Sequence, residues 1–295
     1  MPDAIGNKAA HDYHLDVPAP EQGFFAKGLG HGDWGAKNRL SRLFNPKSGN
    51  TVMLAFDHGY IMGSTAGLER MDVTIAPLCR YADVLMATRG ASRSCIPPTV
   101  HNAICLRATY DASVLIDDMS TGNGVGADME AAIRMNASAV AIQCFIGGAG
   151  EARSLETLCR AVDAGERYGI PVLGVTAVGK EMARTTQYFL LATRMLAELG
   201  ASFVKTYYCD DFEKVVAACP VPIVIAGGKK LPEDEALTMA YRAISDGARG
   251  VDMGRNIFQS EHPAAMCQAV AKIVHEKFTD REAFQFYQEL AAQDN

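Results

Sequence analysis

From Thr51 onward, the chain repeats one pattern eight times: a short apolar run, a polar or glycine-rich turn, and a longer segment with helical spacing. The apolar runs cover residues 51–59, 82–90, 103–109, 139–148, 171–179, 201–208, 221–230 and 249–256. Apolar runs that alternate with helices are typical of a parallel sheet covered on both faces. Eight such units predict an α/β fold of the (β/α)8 TIM-barrel class, and a doubly wound open sheet is the alternative.

The residues outside the repeat form two terminal segments. Residues 1–50 are predicted to be an N-terminal arm and strap, because the first 22 are polar while 23–50 carry an amphipathic stretch around Leu40 and Leu43. The arm is a candidate to reach across a neighbouring subunit. The barrel is predicted to span 51–277, and 278–295 are predicted to be a C-terminal helical tail. No linker interrupts the repeat, so the 295 residues indicate one barrel rather than two domains.

Charge and composition narrow the class of partner. The formal net charge is −6, whereas a chain that neutralises a phosphate backbone is normally basic, so no nucleic acid is expected. The sequence begins without the pattern of a signal peptide, and no apolar stretch approaches the roughly 20 residues that span a bilayer. The eight cysteines form no CxxC pair and are expected to be free thiols. We expect a cytoplasmic protein with a small-molecule ligand and no membrane partner.

Metal and nucleotide motifs are not found in the sequence. The seven histidines have no HxH or HExxH spacing, and no GxGxxG follows the first apolar run. We therefore expect neither a metal nor a covalently bound cofactor. His262 and His275 lie on the last helical segment of the barrel and are expected at the surface.

In a (β/α)8 barrel, the functional groups lie in the loops at the carboxyl ends of the strands. A small set of residues occupies such positions in this sequence. They are Asp57, His58, Arg89, Arg107, Gln143, Lys180, Lys205, Tyr207, Tyr208, residues 227–230, Asp252 and residues 254–256.

Lys205 is the first candidate for a catalytic residue, because it lies in the mostly apolar run ASFVKTYY. Removal of an ammonium group from water lowers its pKa, and Schiff-base chemistry requires a neutral amine as nucleophile. We therefore expect Lys205 to have a lowered pKa. A structural lysine paired with Asp57 or Asp252 is the alternative.

Asp57 and His58 end the first run in the sequence AFDHG. A carboxylate and an imidazole at the barrel mouth are suited to general acid and base catalysis beside Lys205. The alternative is a turn in which Asp57 caps the loop and His58 covers the rim.

Two glycine-containing loops follow the seventh and eighth runs, where barrels of this class often bind phosphate. Glycines let backbone N–H groups approach an anion, and nearby cations complement its charge. The predicted phosphate-binding residues are Gly227, Gly228, Lys229, Gly254 and Arg255. Ordinary tight turns are the alternative.

Four of these segments together resemble a known family. AFDHG (55–59), VKTYY (204–208), AGGKK (226–230) and VDMGRNIFQ (251–259) are similar to motifs of the class I aldolases that include archaeal-type fructose-bisphosphate aldolases. The likeness extends from about residue 30 to about residue 275. The fifth run departs from these aldolases, because Val178 in TAVGK (176–180) stands where they carry a tyrosine that assists proton transfer.

The resemblance implies that Lys205 forms a Schiff base with the substrate and that the two glycine-containing loops bind its phosphate. The departure at Val178 favours a thiolase subgroup of the family, which processes a phosphorylated autoinducer-2 derivative. In that reaction, an acetyl group passes to coenzyme A as co-substrate, and dihydroxyacetone phosphate and acetyl-CoA are released. The resemblance also implies a homo-oligomer, with a decamer expected for this subgroup.

Two other functions stay open on the sequence. One is a class I aldolase that joins or splits a sugar phosphate without coenzyme A. The other is a barrel that binds a phosphorylated ligand without catalysis. The presence of Asp57, His58 and Lys205 argues against this second alternative, because an interior lysine without a catalytic role only costs stability. The sequence assigns no role to Lys180 or Cys209.

Overall fold

The computed structural model describes residues 24–177 and 184–293. Within these residues, eight parallel strands form a closed barrel in chain order, and the last strand returns to pair with the first. The predicted (β/α)8 barrel is confirmed, and each strand lies inside one predicted run. The strands are β1 (Thr51–Ala55), β2 (Val84–Ala87), β3 (Ala103–Arg107), β4 (Ala139–Cys144), β5 (Val172–Thr176), β6 (Phe203–Tyr207), β7 (Ile223–Ala226) and β8 (Gly250–Met253).

Helices surround the barrel. None of those in the described part of the chain is long and apolar enough to cross a membrane. Short 3₁₀-helices lie at Ala76–Tyr81 and Met119–Gly122. The α-helices are α1 (Trp34–Leu43), α2 (Gly59–Met62), α3 (Met71–Thr74), α4 (Arg89–Cys95), α5 (Met129–Arg134), α6 (Glu151–Tyr168), α7 (Thr186–Glu198), α8 (Phe212–Ala218), α9 (Glu233–Ser245), α10 (Arg255–Phe258), α11 (Pro263–Glu276) and α12 (Asp280–Ala291).

The strands are mostly apolar because the barrel interior covers one face and the helices cover the other. All five residues of β1 and all five of β5 are buried. The helices complete this core through one apolar face each, as Leu158 and Val162 of α6 show. Helix α9 begins with three acidic residues, which favour a helix N terminus, and Gly247 follows it at φ +103°.

The seam between β1 and β8 closes the barrel. Thr51 lies opposite Gly250, and Met53 lies opposite Asp252. Just beyond the seam, Gly254 approaches β1 so closely that a Cβ there would lie 2.8 Å from His58 Cε1. It would lie closer still to the carbonyl oxygen of Ala55, so only glycine fits this position.

The segment before β1 covers the amino-terminal end of the barrel. Asp33 caps α1 by accepting a hydrogen bond from a backbone N–H in its first turn. Leu40 and Leu43 are buried, and Phe44 packs edge to face against Phe203 of β6. This part of the predicted strap is therefore packed onto the barrel. The predicted arm lies outside the described residues. At the other end of the chain, the predicted helical tail contains α12.

A short antiparallel ribbon follows β3 and extends the third unit. It pairs Thr109–Tyr110 with Gly124–Val125. The residues between its strands return toward the barrel mouth, where the N–H of Val114 donates to the carbonyl oxygen of Ile61. The ribbon therefore adds a wall to one side of the mouth.

A hydrogen-bonded chain links the strap to the last barrel helix at the amino-terminal face. Ser48 Oγ lies 2.8 Å from His275 Nδ1, and His275 Nε2 lies 2.9 Å from Asp83 Oδ2. The same carboxylate accepts the backbone N–H of Val52 at 2.7 Å. The His275 side chain is 18% exposed, so this residue, which was expected at the surface, is partly buried by these contacts. The sequence did not show that the strap and β2 meet this helix.

We predict that His275→Ala lowers the free energy of unfolding by about 1–3 kcal/mol, because it leaves two partly buried groups without their partner. Urea denaturation followed by circular dichroism measures the change. Glu276→Ala is the matched control, since Glu276 is exposed and pairs with Lys272 on the same helix. Exposed pairs contribute little to stability, so an equal loss in the two variants would contradict the prediction.

Candidate active site

The carboxyl ends of the strands surround a cavity of about 390 Å³. Most of the residues predicted from the barrel pattern meet there. Gly227, Gly228 and Gly254 contribute backbone to its wall. Its polar side chains include Asp57, His58, Arg107, Gln143, Lys205, Asp252 and Arg255.

Lys205 extends from β6 into this cavity and is 9% exposed. Its Nζ lies 2.9 Å from Asp252 Oδ2 on β8 and donates to Met86 Sδ on β2 at 3.7 Å. The pairing that the sequence offered as the structural alternative is therefore observed, with Asp252 as the partner. It lies in the wall of a ligand-sized cavity, so the pairing does not by itself exclude catalysis.

The pKa of Lys205 is raised, whereas the sequence predicted a lowered pKa. Burial does act to lower it, but the charges of Asp252 and Asp57 and the hydrogen bond to Asp252 outweigh burial. The prediction was wrong because the sequence does not show which carboxylates lie beside the ammonium. Lys205 is therefore an ammonium at neutral pH, and it must lose a proton before it can act as a nucleophile.

Asp252 is fully buried and depends on a single partner. Apart from the ion pair with Lys205, neither carboxylate oxygen has a hydrogen-bond partner among the described residues. Burial raises the pKa of Asp252, and the charge of Lys205 offsets this only in part. Among the described residues, the Lys205 ammonium is therefore the cation in contact with the Asp252 carboxylate, and Arg107 acts on it only from a greater distance.

Asp57 follows β1 and is 6% exposed. Its Oδ2 lies 2.9 Å from Arg107 Nη1. Burial acts to raise the pKa of Asp57, but Arg107, together with His58 and Lys205, lowers it overall. Asp57 is therefore ionised at neutral pH.

Arg107 is the centre of a buried network that the sequence did not predict. Its guanidinium donates to Asp111 Oδ2 at 2.6 Å, to the Tyr60 hydroxyl at 2.9 Å and to Gln143 Oε1. Tyr60 in turn donates to Asp111 Oδ2 at 2.5 Å. Sequence reasoning missed Tyr60 and Asp111. The available signal was their spacing, since they follow two rim residues, Asp57 and Arg107, by three and four positions.

His58 borders the cavity beside Asp57. Its buried Nδ1 has no hydrogen-bond partner among the described residues and lies 3.9 Å from Asp57 Oδ1. Burial lowers the pKa of His58, and the charges of Lys205 and Arg255 lower it further, although Asp57 opposes them. His58 is therefore a neutral imidazole at neutral pH, which is the form that accepts a proton.

Asn256 joins the two predicted phosphate-binding loops. Its side-chain amide donates to the carbonyl oxygen of Gly227 at 2.7 Å and accepts the N–H of Leu231 at 2.8 Å. Between these contacts, Gly228 has φ +67°, a conformation that favours glycine. Asn256 is fully buried, so it fixes one loop against the other.

The cations of these loops differ in their availability to a ligand. Arg255 lines the cavity, and its buried Nε has no hydrogen-bond partner among the described residues. Lys230 bonds instead to Leu231 and Glu233 of its own loop. Lys229 is exposed and is not among the described residues that line the cavity, so its contact with phosphate stays a prediction.

Arg184 is a further cation near these loops, and the sequence did not predict it. Its guanidinium lies over the Tyr207 ring, 3.9 Å from the ring centroid, and close to Gly228. In the loop after β5, the sequence predicted a rim residue only at Lys180. Arg184 is the first residue of this loop that is described after Ala177. Lys180 and Val178 lie outside the described residues.

Several rim candidates do not join the site. Arg89 begins α4, the Tyr208 hydroxyl bonds to Asp246, and Cys209 lies beyond β6. None of the three is among the described residues that line the cavity.

Burial raises the pKa of Cys209, so it is a thiol rather than a thiolate. All eight cysteines are free, as predicted. Within residues 24–177 and 184–293, no group of His, Cys, Asp or Glu is arranged to hold a metal ion.

The site combines a buried lysine, an ionised carboxylate, a neutral imidazole and two loops that offer backbone and guanidinium donors. Such a set is suited to imine formation with a carbonyl compound that carries a phosphate. Its place at the carboxyl ends of the strands is the position of active sites in (β/α)8-barrel enzymes.

A family model described as DeoC/LacD family aldolase matches residues 51–260. The chain belongs to this family, and the resemblance seen in the four motifs is confirmed.

The chain is similar to named relatives over nearly its full length. The 3-hydroxy-5-phosphonooxypentane-2,4-dione thiolase of Enterobacter sp. (strain 638) is 55% identical over 290 residues, covering 98% of each chain. The thiolase of the same name from Klebsiella pneumoniae is 54% identical over 290 residues, with the same coverage. Among solved structures, an archaeal fructose 1,6-bisphosphate aldolase matches with a TM-score of 0.73 at 24% identity, covering 82% of this chain and 99% of that chain. This structural match supports the barrel fold.

We predict that Asn256→Ala weakens the binding of inorganic phosphate about tenfold, because two hydrogen bonds that fix the loops are lost. Isothermal titration calorimetry measures the affinity. Asn102→Ala is the matched control, since Asn102 donates to the carbonyl oxygens of Cys79 and Ala82 outside the cavity. A similar loss of phosphate affinity in both variants would show that general destabilisation is the cause.

Proposed function

We propose that the protein cleaves 3-hydroxy-5-phosphonooxypentane-2,4-dione with coenzyme A and forms dihydroxyacetone phosphate and acetyl-CoA. It is then an acyltransferase of the thiolase type, built on an aldolase-family barrel. The observation that carries this proposal is Lys205, buried in the wall of a cavity whose other wall is formed by the two glycine-containing loops. The names of the relatives at 55% and 54% identity support the choice of substrate.

Two groups of the substrate match different parts of the cavity: the phosphate matches the glycine-containing loops, and a carbonyl matches Lys205. Its phosphate is placed against Gly228 and the guanidinium of Arg255, whose Nε has no hydrogen-bond partner among the described residues. The carbonyl at C4, next to the carbon that bears the phosphate, then faces Lys205. The amine adds to C4, water leaves, and the resulting iminium attracts electrons from the C2–C3 bond.

Coenzyme A completes the reaction at the second carbonyl. Its thiol adds to C2 and gives up its proton to His58, which is neutral and able to accept it. The C2–C3 bond then breaks, acetyl-CoA leaves, and the electron pair enters the iminium to form an enamine. His58 returns the proton to C3, and water hydrolyses the imine to release dihydroxyacetone phosphate. Asp57 stabilises the protonated imidazole.

Direct transfer to coenzyme A fits the cysteines of this chain. No cysteine is present among the described residues that line the cavity. An acetyl-cysteine intermediate would require a nucleophilic thiolate in contact with the substrate. We therefore propose that the coenzyme A sulfur attacks the substrate itself.

We also propose a cytoplasmic homo-oligomer that processes autoinducer-2 derivatives of quorum sensing, without nucleic acid or membrane partners. The family resemblance supports the oligomer, with a decamer expected. The net charge of −6 supports the lack of a nucleic-acid partner. Light scattering after size-exclusion chromatography measures the number of subunits.

We predict that borohydride reduction in the presence of dihydroxyacetone phosphate attaches the ligand to Lys205, because reduction makes an imine permanent. Peptide mass spectrometry locates the added mass. Lys205→Met keeps the length of the side chain but has no amine, so it should trap nothing. Lys214→Met, at an exposed lysine paired with Asp211, should trap as the native protein does. An active native enzyme in which Lys205 stays unmodified would exclude the imine step.

We predict that the native protein forms acetyl-CoA and dihydroxyacetone phosphate in equal amounts from the dione and coenzyme A, while Lys205→Met forms neither. Chromatography of the thioester measures the transfer. Release of dihydroxyacetone phosphate and acetate from the dione without coenzyme A would instead indicate a hydrolase, with water as the acetyl acceptor. Cleavage of fructose 1,6-bisphosphate without coenzyme A would indicate a plain aldolase. Ligand binding without any turnover by the native protein would indicate a binding barrel.

We predict that kcat/KM stays constant near neutral pH and falls only below pH 6.5, because the pKa of His58 is lowered from this ordinary value. Above its pKa, the imidazole is neutral and accepts the thiol proton; below it, the imidazole is charged and cannot. His58→Gln should reduce kcat/KM about 100-fold and lose this acidic limb. A pH profile of His58→Gln with the native acidic limb would assign the limb to another group.

A further inference from the structure

Two carboxylates lie near Lys205, and they are held in different ways. Asp57 is bonded to Arg107, a cation that does not give up its proton in proteins. Asp252 has Lys205 alone, at 2.9 Å, and its side chain is 0% exposed. Arg107 therefore balances the charge of Asp57 whether Lys205 is charged or neutral. The charge of Asp252 has a cation in contact with it only while Lys205 is an ammonium.

A neutral Lys205 beside an ionised Asp252 is an unfavourable state. It would leave a carboxylate buried without a counter-ion and without a hydrogen bond from any other described residue. Such a group is strongly destabilised in a protein interior. Two states avoid this cost: ammonium with carboxylate, or amine with carboxylic acid. The proton that leaves Lys205 therefore has an acceptor 2.9 Å away.

The other ionisable groups around the pair do not compete for this proton. His58 lies near the pair and is neutral, and the positive charge of Lys205 disfavours its protonation. Burial raises the pKa of the Cys105 thiol, so it stays protonated. The groups that face the pair from β1, β3 and β6 are Asp57, His58, Cys105, Arg107 and Tyr207.

We propose that Asp252 is a catalytic acid and base for the imine step: it takes a proton from Lys205 before attack and returns it to the hydroxyl that leaves. Asp252 lines the same cavity as Lys205, so it can reach both the amine and the carbon that the amine attacks. The inference rests on the proposed function, because it concerns the formation of the imine.

The proton balances at each step. Transfer from Nζ to Oδ2 of Asp252 gives a neutral amine and a carboxylic acid. The amine adds to the carbonyl carbon, and a proton moves from nitrogen to oxygen to give a neutral carbinolamine. Asp252 then protonates the hydroxyl, which leaves as water while the nitrogen lone pair forms the C=N bond. An iminium and a carboxylate remain, with the same charges as the original ion pair.

This cycle explains how a lysine with a raised pKa can act at neutral pH. The proton does not have to reach the solvent, because it moves within a buried pair. Before the transfer, the site holds an ammonium and a carboxylate. During addition it holds an amine and a carboxylic acid, and after loss of water it holds an iminium and a carboxylate. A free ammonium without such an acceptor would have to be deprotonated by alkaline solvent.

The test compares Asp252→Asn and Asp252→Ala with the native protein. The rate of borohydride trapping with dihydroxyacetone phosphate is followed by intact mass from neutral to alkaline pH. Asp246→Asn is the matched control, because Asp246 bonds to Tyr208 outside the cavity. Circular dichroism and thermal unfolding establish that each variant is folded. Sodium formate, a small carboxylate that fits the space left in Asp252→Ala, is added in a parallel series with sodium chloride as its control.

We expect both Asp252 variants to trap about 100-fold more slowly at neutral pH, while Asp246→Asn traps at the native rate. Formate should restore part of the rate to Asp252→Ala and none to Asp252→Asn, whose side chain fills the space. Trapping by Asp252→Asn at or above the native rate would show that Asp252 only holds the ammonium, and would overturn the proposal. Lack of rescue by formate would do the same. A native protein that traps nothing would overturn the proposed imine function itself.

Discussion

The ion pair between Lys205 and Asp252 is the interaction on which the site depends. A buried pair of this kind seldom stabilises a fold, because the cost of removing two charges from water is as large as their attraction. The barrel tolerates it because the strands around it are apolar on both faces and supply a large core. Lys205 is on β6 and Asp252 is on β8, two strands apart in the ring, and both side chains line the same cavity.

The two carboxylates near the lysine are separated in acidity by their surroundings. Arg107 and other cations keep Asp57 ionised, whereas burial with a single partner makes Asp252 easier to protonate. In the proposed reaction, two groups of the same chemical type thereby take different tasks, a division that is common in enzyme active sites. The two loops proposed to bind phosphate are also organised in advance, because Asn256 fixes one against the other.

The barrel could be predicted because each strand is a continuous apolar run, and the residues that end these runs must meet at one face. Lys205, Asp57, His58 and Arg255 were found by that rule alone. Asp111 was missed because it joins the site through the ribbon after β3, which the pattern of apolar runs does not predict. Tyr60 was missed because it lies on the short helix α2, beyond the end of the first strand. The direction of the Lys205 pKa was wrong because burial and opposing charge act against each other, and only the distances decide between them. His275 could not be placed for a similar reason, since its partners lie 192 and 227 positions away.

Closure of the barrel by its first and last strands also constrains how the chain is made. β1 has no partner on one side until β8 has left the ribosome, and until then the open sheet presents an unpaired strand edge. Lys205 is synthesised before Asp252, so it has no ion pair with this carboxylate during the interval. Closure of the hydrogen-bonded ring and formation of the buried ion pair therefore both require β8. A nascent chain that stalls before Gly250 therefore has neither a closed barrel nor the carboxylate that pairs with Lys205.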